Sequence, residues 1–425
     1  MSVAPIQSRL FASAPRATAA NSSVFTPNMT LPVHRWFRYS AGFSAAWVDE
    51  TVRDRSLRER LNVLDPFAGS GTTLLAARAA GADSIGIESH PFVVRVARAK
   101  LHAWDSADEL EDRAAAVVAE TRPLKWADPP ALMAKIYAPN VLAALRGLRD
   151  TVERQARNDA IDTLLWLALV GVLRVCSPVG TAQWQYVLPN KTKRRTAEPL
   201  AAFVAQVALM VSDMRELGEQ PDALATLYEE DARIIASVEE DWADLVITSP
   251  PYPNNYDYAD ATRIEMTFLE EIAGWGDLQD AVRSRLVRSC SQHMVRYDAT
   301  PVLDSPDVAP IESELRQTFQ RLAEERQHHG GKKNYHSMVV AYFADLSQTW
   351  QALRRVCAPG SEALFVVGDS APYGVYVPVD RWLGELALAA GFESYDFTKL
   401  RDRNIKWKNR KHRVPLHEGI LRVRG

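Results

Sequence analysis

The chain has 425 residues, 47% hydrophobic and 24% charged, with a net charge of −3, enough apolar material for a large core in one elaborated domain or two. No apolar stretch reaches membrane-spanning length: Leu164–Val175 is short and includes Arg174, so it reads as a buried helix rather than a membrane span. The three cysteines, Cys176, Cys290 and Cys357, lie far apart without metal-ligand spacing, which points away from a bound metal and toward reduced thiols in a cytoplasmic protein.

Residues 1–30 are rich in Ser, Ala and Thr, and no acid occurs before Asp49. That composition overlaps an organellar transit peptide, but without an amphipathic pattern it reads as a disordered tail. Leu61–Leu64 is a short apolar run fit for a buried parallel strand. It breaks at Asp65-Pro66, and Thr72–Gly81 follows as a helix with a glycine stop. Between them, Gly69 and Gly71 let the backbone turn tightly and approach a ligand without an intervening side chain. Ser84–Glu88 is a second strand ending in an acid, where sheets of this kind receive ribose hydroxyls. A nucleoside site is expected here. The third glycine of the dinucleotide fingerprint and the Lys-Ser/Thr of a phosphate loop are both missing, which disfavours NAD and ATP.

A long stretch, mostly of helical pattern, separates Glu88 from Asp231: Asn140–Ala156, Ile161–Val175 and Leu200–Leu217 show helical apolar spacing. It is too long for an ordinary crossover, so 101–224 is expected to be a helical insertion and, like the later segment Ser284–Asn334, a candidate DNA-recognition region. Ala225–Tyr228 and Ala243–Thr248 are strand candidates, and the second runs directly into Ser249-Pro-Pro-Tyr252. The exocyclic amine of cytosine or adenine is a poor nucleophile because its lone pair is delocalised into the ring. Two acceptors on its hydrogens, the Ser249 hydroxyl and the Pro250 carbonyl, would draw the nitrogen toward a tetrahedral shape. Pro250 and Pro251 have fixed φ and no N–H, so they hold that carbonyl rigidly. Tyr252, followed by Tyr256 and Tyr258, offers a flat face for a base lifted from its stack. Beyond lie an irregular segment, Ser284–Asn334, a helix at Tyr335–Val356 and a strand at Ala363–Val367. Asp380–Gly391 reads as an amphipathic helix, with strands at Glu393–Phe397 and Ile420–Val423. Glu418 reads as an ordinary exposed acid or a loop-orienting group, without a catalytic role.

The charge is unevenly spread. Lys399–Arg413 holds eight Lys/Arg against one Asp and contains Lys406, Lys408 and Arg410; Lys191–Arg195, with Lys193 and Arg194, and Arg326–Lys333 are further basic clusters. Local basic stripes on a near-neutral chain are what phosphate binding requires.

The two central motifs resemble those of the S-adenosylmethionine-dependent amino-methyltransferases of DNA, which modify cytosine N4 or adenine N6. Asp65-Pro-Phe-Ala-Gly-Ser-Gly71 is similar to their cofactor motif and Ser249-Pro-Pro-Tyr252 to their catalytic motif. Ser in the first catalytic position is more typical of the cytosine-N4 members. Pro32–Ser44 looks like the segment that closes over the methionine part of the cofactor, and Tyr228–Arg233 like the stretch whose acid, here Asp231, contacts the adenine amine. The resemblance implies an α/β fold with a doubly wound, mostly parallel sheet over 31–100 and 225–425. It further implies S-adenosylmethionine held by Phe43, Ser44, Asp65, Phe67, Gly69, Gly71, Glu88 and Asp231, and double-stranded DNA as partner. The absence of a Pro-Cys dipeptide argues against the thiolate route to cytosine C5. An RNA (guanine-N2 type) or protein-glutamine methyltransferase, or an inactive DNA-binding subunit, are the rival expectations.

Overall fold

The computed structural model describes residues 26–39, 43–56, 60–181, 187–192, 195–254, 256–294, 297–403 and 414–425. Its strands are β1 (Asn62–Asp65), β2 (Asp83–Glu88), β3 (Val179–Thr181), β4 (Val187–Thr192), β5 (Ala225–Glu229), β6 (Ala243–Thr248), β7 (Cys357–Gly368), β8 (Ser394–Arg403) and β9 (Leu416–Arg424). Seven of them form one sheet in the order β5-β2-β1-β6-β7-β9-β8. The first five are parallel to one another, whereas β9 runs antiparallel to both β7 and β8. The expected doubly wound, mostly parallel sheet is therefore present. Its order reverses between β1 and β6, which makes their carboxyl ends the switch point where ligands bind in open α/β sheets.

The helices of the first half are α1 (Ala45–Ser56), α2 (Thr72–Ala79), α3 (Pro91–Leu101), α4 (Ala107–Glu120), α5 (Ala131–Ile136), α6 (Pro139–Arg154), α7 (Ala160–Cys176) and α8 (Pro199–Leu217). The Asp159–Asp162 capping box starts α7 and the Glu198 carboxylate starts α8, satisfying backbone N–H groups that a helix end leaves open. The apolar faces of α4–α8 meet Val33, Trp36, Phe37 and Tyr39 and the α3 residues Phe92, Val93 and Val96 in one continuous core, while α1 packs with α2 against β1, β6 and β7. The stretch 101–224 is thus packed into the catalytic half instead of standing apart from it. It is also not wholly helical, since β3 and β4 pair as a small antiparallel sheet.

The second half carries α9 (Arg263–Phe268), α10 (Leu278–Ala281), α11 (Glu312–His328), α12 (Tyr335–Val356) and α13 (Val379–Ala389). Helix α12 packs on the other face of the sheet, with Met338, Tyr342, Leu346, Trp350 and Leu353 in a core shared with β6 and β7. The 17-residue α11 lies within the segment expected to be irregular. Two smaller expectations also change. Thr26–Thr30 is a 3-10 turn with Asn28 fully buried, so residues 26–30 of the expected disordered tail are folded. Glu418 is only 3% exposed. All three cysteines are free and buried, and no described helix is long and apolar enough to cross a membrane.

Candidate active site

The glycine turn leaves β1 at Asp65, whose fully buried carboxylate accepts from Phe67 N at 3.0 Å and from the hydroxyls of Thr73 and Thr248, both at 2.6 Å. Burial still pushes this carboxyl up to about 6 against those three donors. With both oxygens met from inside, Asp65 ties the turn, α2 and the end of β6 together. Gly69 (φ 52°) and Gly71 (φ 84°) adopt the left-handed region between β1 and α2. A Cβ at Gly69 would lie 3.3 Å from the Tyr39 ring, so the N-terminal segment closes directly over the turn. The Phe67 ring is half-buried against the α12-side core.

Glu88 ends β2 as expected. Its two oxygens accept from Gly69 N at 2.9 Å and His90 N at 2.8 Å. Burial, with a smaller contribution from nearby Asp65, outweighs these bonds and pushes the carboxyl up to about 7. A glycine cradle with an acceptor-only carboxylate beside it suits a nucleoside bearing ribose hydroxyls, so the residues fit S-adenosylmethionine.

The N-terminal segment is held by anchors that the sequence does not advertise. Asp213 on α8 accepts from Val33 N at 3.1 Å, Trp36 Nε1 at 2.8 Å and Arg35 Nε at 3.1 Å. The buried Lys100 on α3 donates to the carbonyls of His34 and Phe37. Asn28 donates to the Phe43 carbonyl and accepts from Ala45 N. Phe43 itself packs into the core against Trp47, and the Ser44 hydroxyl accepts from Trp47 N at the start of α1. Both residues are more than nine-tenths buried, and anchoring is what the structure shows for them. Asp231 stands just past β5, paired with Arg233, which also reaches Asp345.

One residue beyond Thr248, the Ser249 hydroxyl donates to the Val366 carbonyl on β7 at 3.2 Å. Pro250 is buried, and Pro251 and Tyr252 are half-buried. Ser370 Oγ donates to the Pro253 carbonyl at 2.5 Å and holds the far end of the turn. Further on, the Tyr256 and Tyr258 rings meet edge-on at 4.7 Å. Asp257 between them accepts from Arg283 at 2.7 Å. Burial alone would raise the Asp257 carboxyl, but His293 and Arg283 outweigh it and hold the group at about 2. The two sequence motifs thus meet across β1 and β6, joined by Thr248 and Asp65.

Of the three basic clusters, Lys193, Arg194, Lys406, Lys408 and Arg410 lie outside the described residues. The third is visible: His329 stacks on Tyr373 at 4.4 Å, and Lys333 Nζ lies 5.5 Å from the centroid of the Tyr335 ring, which meets Tyr373 edge-on. Among the described residues, Asp369, Asp380 and His417 bring three metal-capable atoms within 4.8 Å of one another. Both ring nitrogens of His417 already face those carboxylates, at 2.7 and 3.4 Å.

A family model described as DNA methylase, of the N6/N4 type, matches residues 19–99. The chain is 26% identical to the type II methyltransferase M.BsoBI of Geobacillus stearothermophilus over 431 aligned residues, covering 89% of this chain and 82% of that protein. To the type II methyltransferase M.AvaI of Nostoc sp. it is 25% identical, covering 87% and 80%. The solved rRNA methyltransferase aviRa of Streptomyces viridochromogenes aligns over 95% of this chain and 94% of its own, at 11% identity and a TM-score of 0.28, too low to carry an argument. With both motifs in place at the switch point, these matches support the amino-methyltransferase family of DNA, whose methyl donor is S-adenosylmethionine.

Proposed function

We propose that this protein is a site-specific DNA methyltransferase that moves a methyl group from S-adenosylmethionine to the exocyclic amine of a base flipped out of the duplex, cytosine N4 in preference to adenine N6. The observation that carries the reading is the position of Ser249–Tyr252, which leaves β6 at the switch point and is tied to the glycine turn through Thr248 and Asp65. Bound S-adenosylmethionine supplies an electrophilic sulfonium methyl group. Ser249 already has the Val366 carbonyl as acceptor for its one proton, which leaves its lone pairs for the hydrogens of the target amine. The Pro250 carbonyl supplies the second acceptor, and Tyr252 the surface on which the flipped base stacks. Catalysis then comes from orientation and from acceptors whose bonds strengthen as the nitrogen becomes tetrahedral.

Incubation with labelled S-adenosylmethionine and duplex DNA or RNA, followed by nucleoside mass spectrometry, tests the reading. N4-methylcytosine is the expected product, the base preference resting on serine at position 249. N6-methyladenine alone would reassign the base, and label confined to RNA would overturn the substrate.

Glu88 gives cofactor binding a pH dependence. A protonated carboxyl loses acceptor capacity toward ribose hydroxyls, and this one titrates at about 7. Affinity for S-adenosylmethionine should therefore rise with pH, with a dissociation constant roughly tenfold weaker at pH 6 than at pH 8. Calorimetry across that range should show the slope, and Glu88→Gln should abolish it; equal affinities at the two pH values would remove Glu88 from the site. Stability of the unliganded fold has the opposite sign. The folded carboxyl holds its proton more tightly than the ordinary value of 4.5 allows, so this group costs stability as pH rises from 4.5 through 7.

A further inference from the structure

Near its end β8 carries a bulge: Lys399 pairs with Gly419 and Arg401 with Glu418, so Leu400 is extra. Such an insertion re-aims the side chains that follow it. Beyond it Arg401 and Arg403 point to the same face, as residues two apart do, and both reach Glu418, at 3.0 and 3.5 Å. The Glu418 carboxylate is nearly buried, which keeps the pairing out of solvent competition. Arg403 extends further, across β9 and over Gly368 of β7, to donate to the Asp369 carbonyl at 2.7 Å. Glycine is what admits it there: a Cβ at position 368 would come within 2.6 Å of Arg403 Nη1 and 3.2 Å of its Cζ. The guanidinium ends 5.1 Å from the centroid of the Tyr252 ring. A planar guanidinium stacks well on an aromatic face, and here three separate strands converge to place one.

We propose that Arg403 is a positioning residue of the target-base pocket: held by Glu418 and the Asp369 carbonyl, it covers one face of Tyr252, fixes the ring, and leaves the opposite face as the stacking surface for the base. This rests on the functional reading above and specifies how its aromatic platform is held. Arg403 touches neither base nor cofactor in this role. It acts through Tyr252, and the antiparallel end of the sheet thereby becomes part of the catalytic pocket.

The test compares Arg403→Ala, Arg403→Lys and Arg401→Ala in two arms. In the free protein, selectively labelled tyrosine NMR should show the Tyr252 ring signal moved in both Arg403 variants and unmoved in Arg401→Ala, which keeps the Arg403–Glu418 pair. In turnover, with duplex DNA and labelled S-adenosylmethionine, both Arg403 variants should lose kcat, by roughly 10²-fold for Arg403→Ala. KM for DNA, cofactor affinity and the salt dependence of DNA binding should stay near wild type. Lysine should not rescue, since it keeps the charge but not the planar stack. An unmoved Tyr252 signal in Arg403→Ala overturns the inference, as does a moved signal with unchanged kcat. A log-log salt slope flattened by about 0.9 would make Arg403 a phosphate contact and overturn it as well. So would Arg401→Ala reproducing the kinetic defect. A wild type that methylates no DNA would sink the functional reading by itself, before any variant is made.

Discussion

Ser249→Ala should cut turnover by about 10²–10³-fold while leaving cofactor and DNA affinities near wild type. The lost acceptor acts where charge and geometry change, on the amine as it attacks, and removing one such preorganised partner typically costs that much. The Pro250 carbonyl and Tyr252 remain, so the base is still captured. The carbonyl of the buried Val366 loses this donor, which should cost about 1 kcal/mol of stability. Single-turnover rates at saturating DNA and cofactor separate these effects, and full activity in the alanine enzyme would remove the mechanism.

Gly71→Val should abolish S-adenosylmethionine binding. Gly71 sits at φ 84° as the N-cap of α2, where an L-residue costs about 1–2 kcal/mol, and its Cβ would meet Ala97 of α3 at 3.5 Å, so a branched side chain would push the glycine turn out of the shape the cofactor needs. Gly81, at the other end of α2, has the same φ of 84° with open space around it. Gly81→Val therefore carries the same backbone strain away from the site. Calorimetry should find binding lost in the first variant and retained in the second. Equal losses would mean that strain in α2, not distortion of the glycine turn, is responsible; wild-type affinity in Gly71→Val would end the assignment.

What could be read from the chain beforehand follows a physical divide. Both motifs are contiguous runs at strand ends, where residue type and order report the local turn, and Asp65–Gly71, Glu88 and Ser249–Tyr252 come together as that logic requires. The strands of the main sheet were legible as short apolar runs for the same reason. The supports were not. Arg35 and Asp213 are 178 positions apart, and Asp65 and Thr248 are 183 apart; no local pattern announces such pairs. Helix α11 escaped because it buries only Leu315, Thr318 and Leu322, too sparse a stripe to stand out. Glu418 looked exposed because an acid near a chain end normally is; two arginines across a bulge make its burial tolerable.

The Asp213 clamp has an evolutionary consequence. A specificity module that hung from the enzyme by its two ends could be traded between relatives like a cartridge, each swap giving a new target sequence at little risk. Here α8 holds the segment that closes over the glycine turn through Val33, Arg35 and Trp36, so replacing 101–224 wholesale would release that segment. If 101–224 reads the target sequence, new specificity should therefore accumulate by point changes on loops, with the helical scaffold inherited intact.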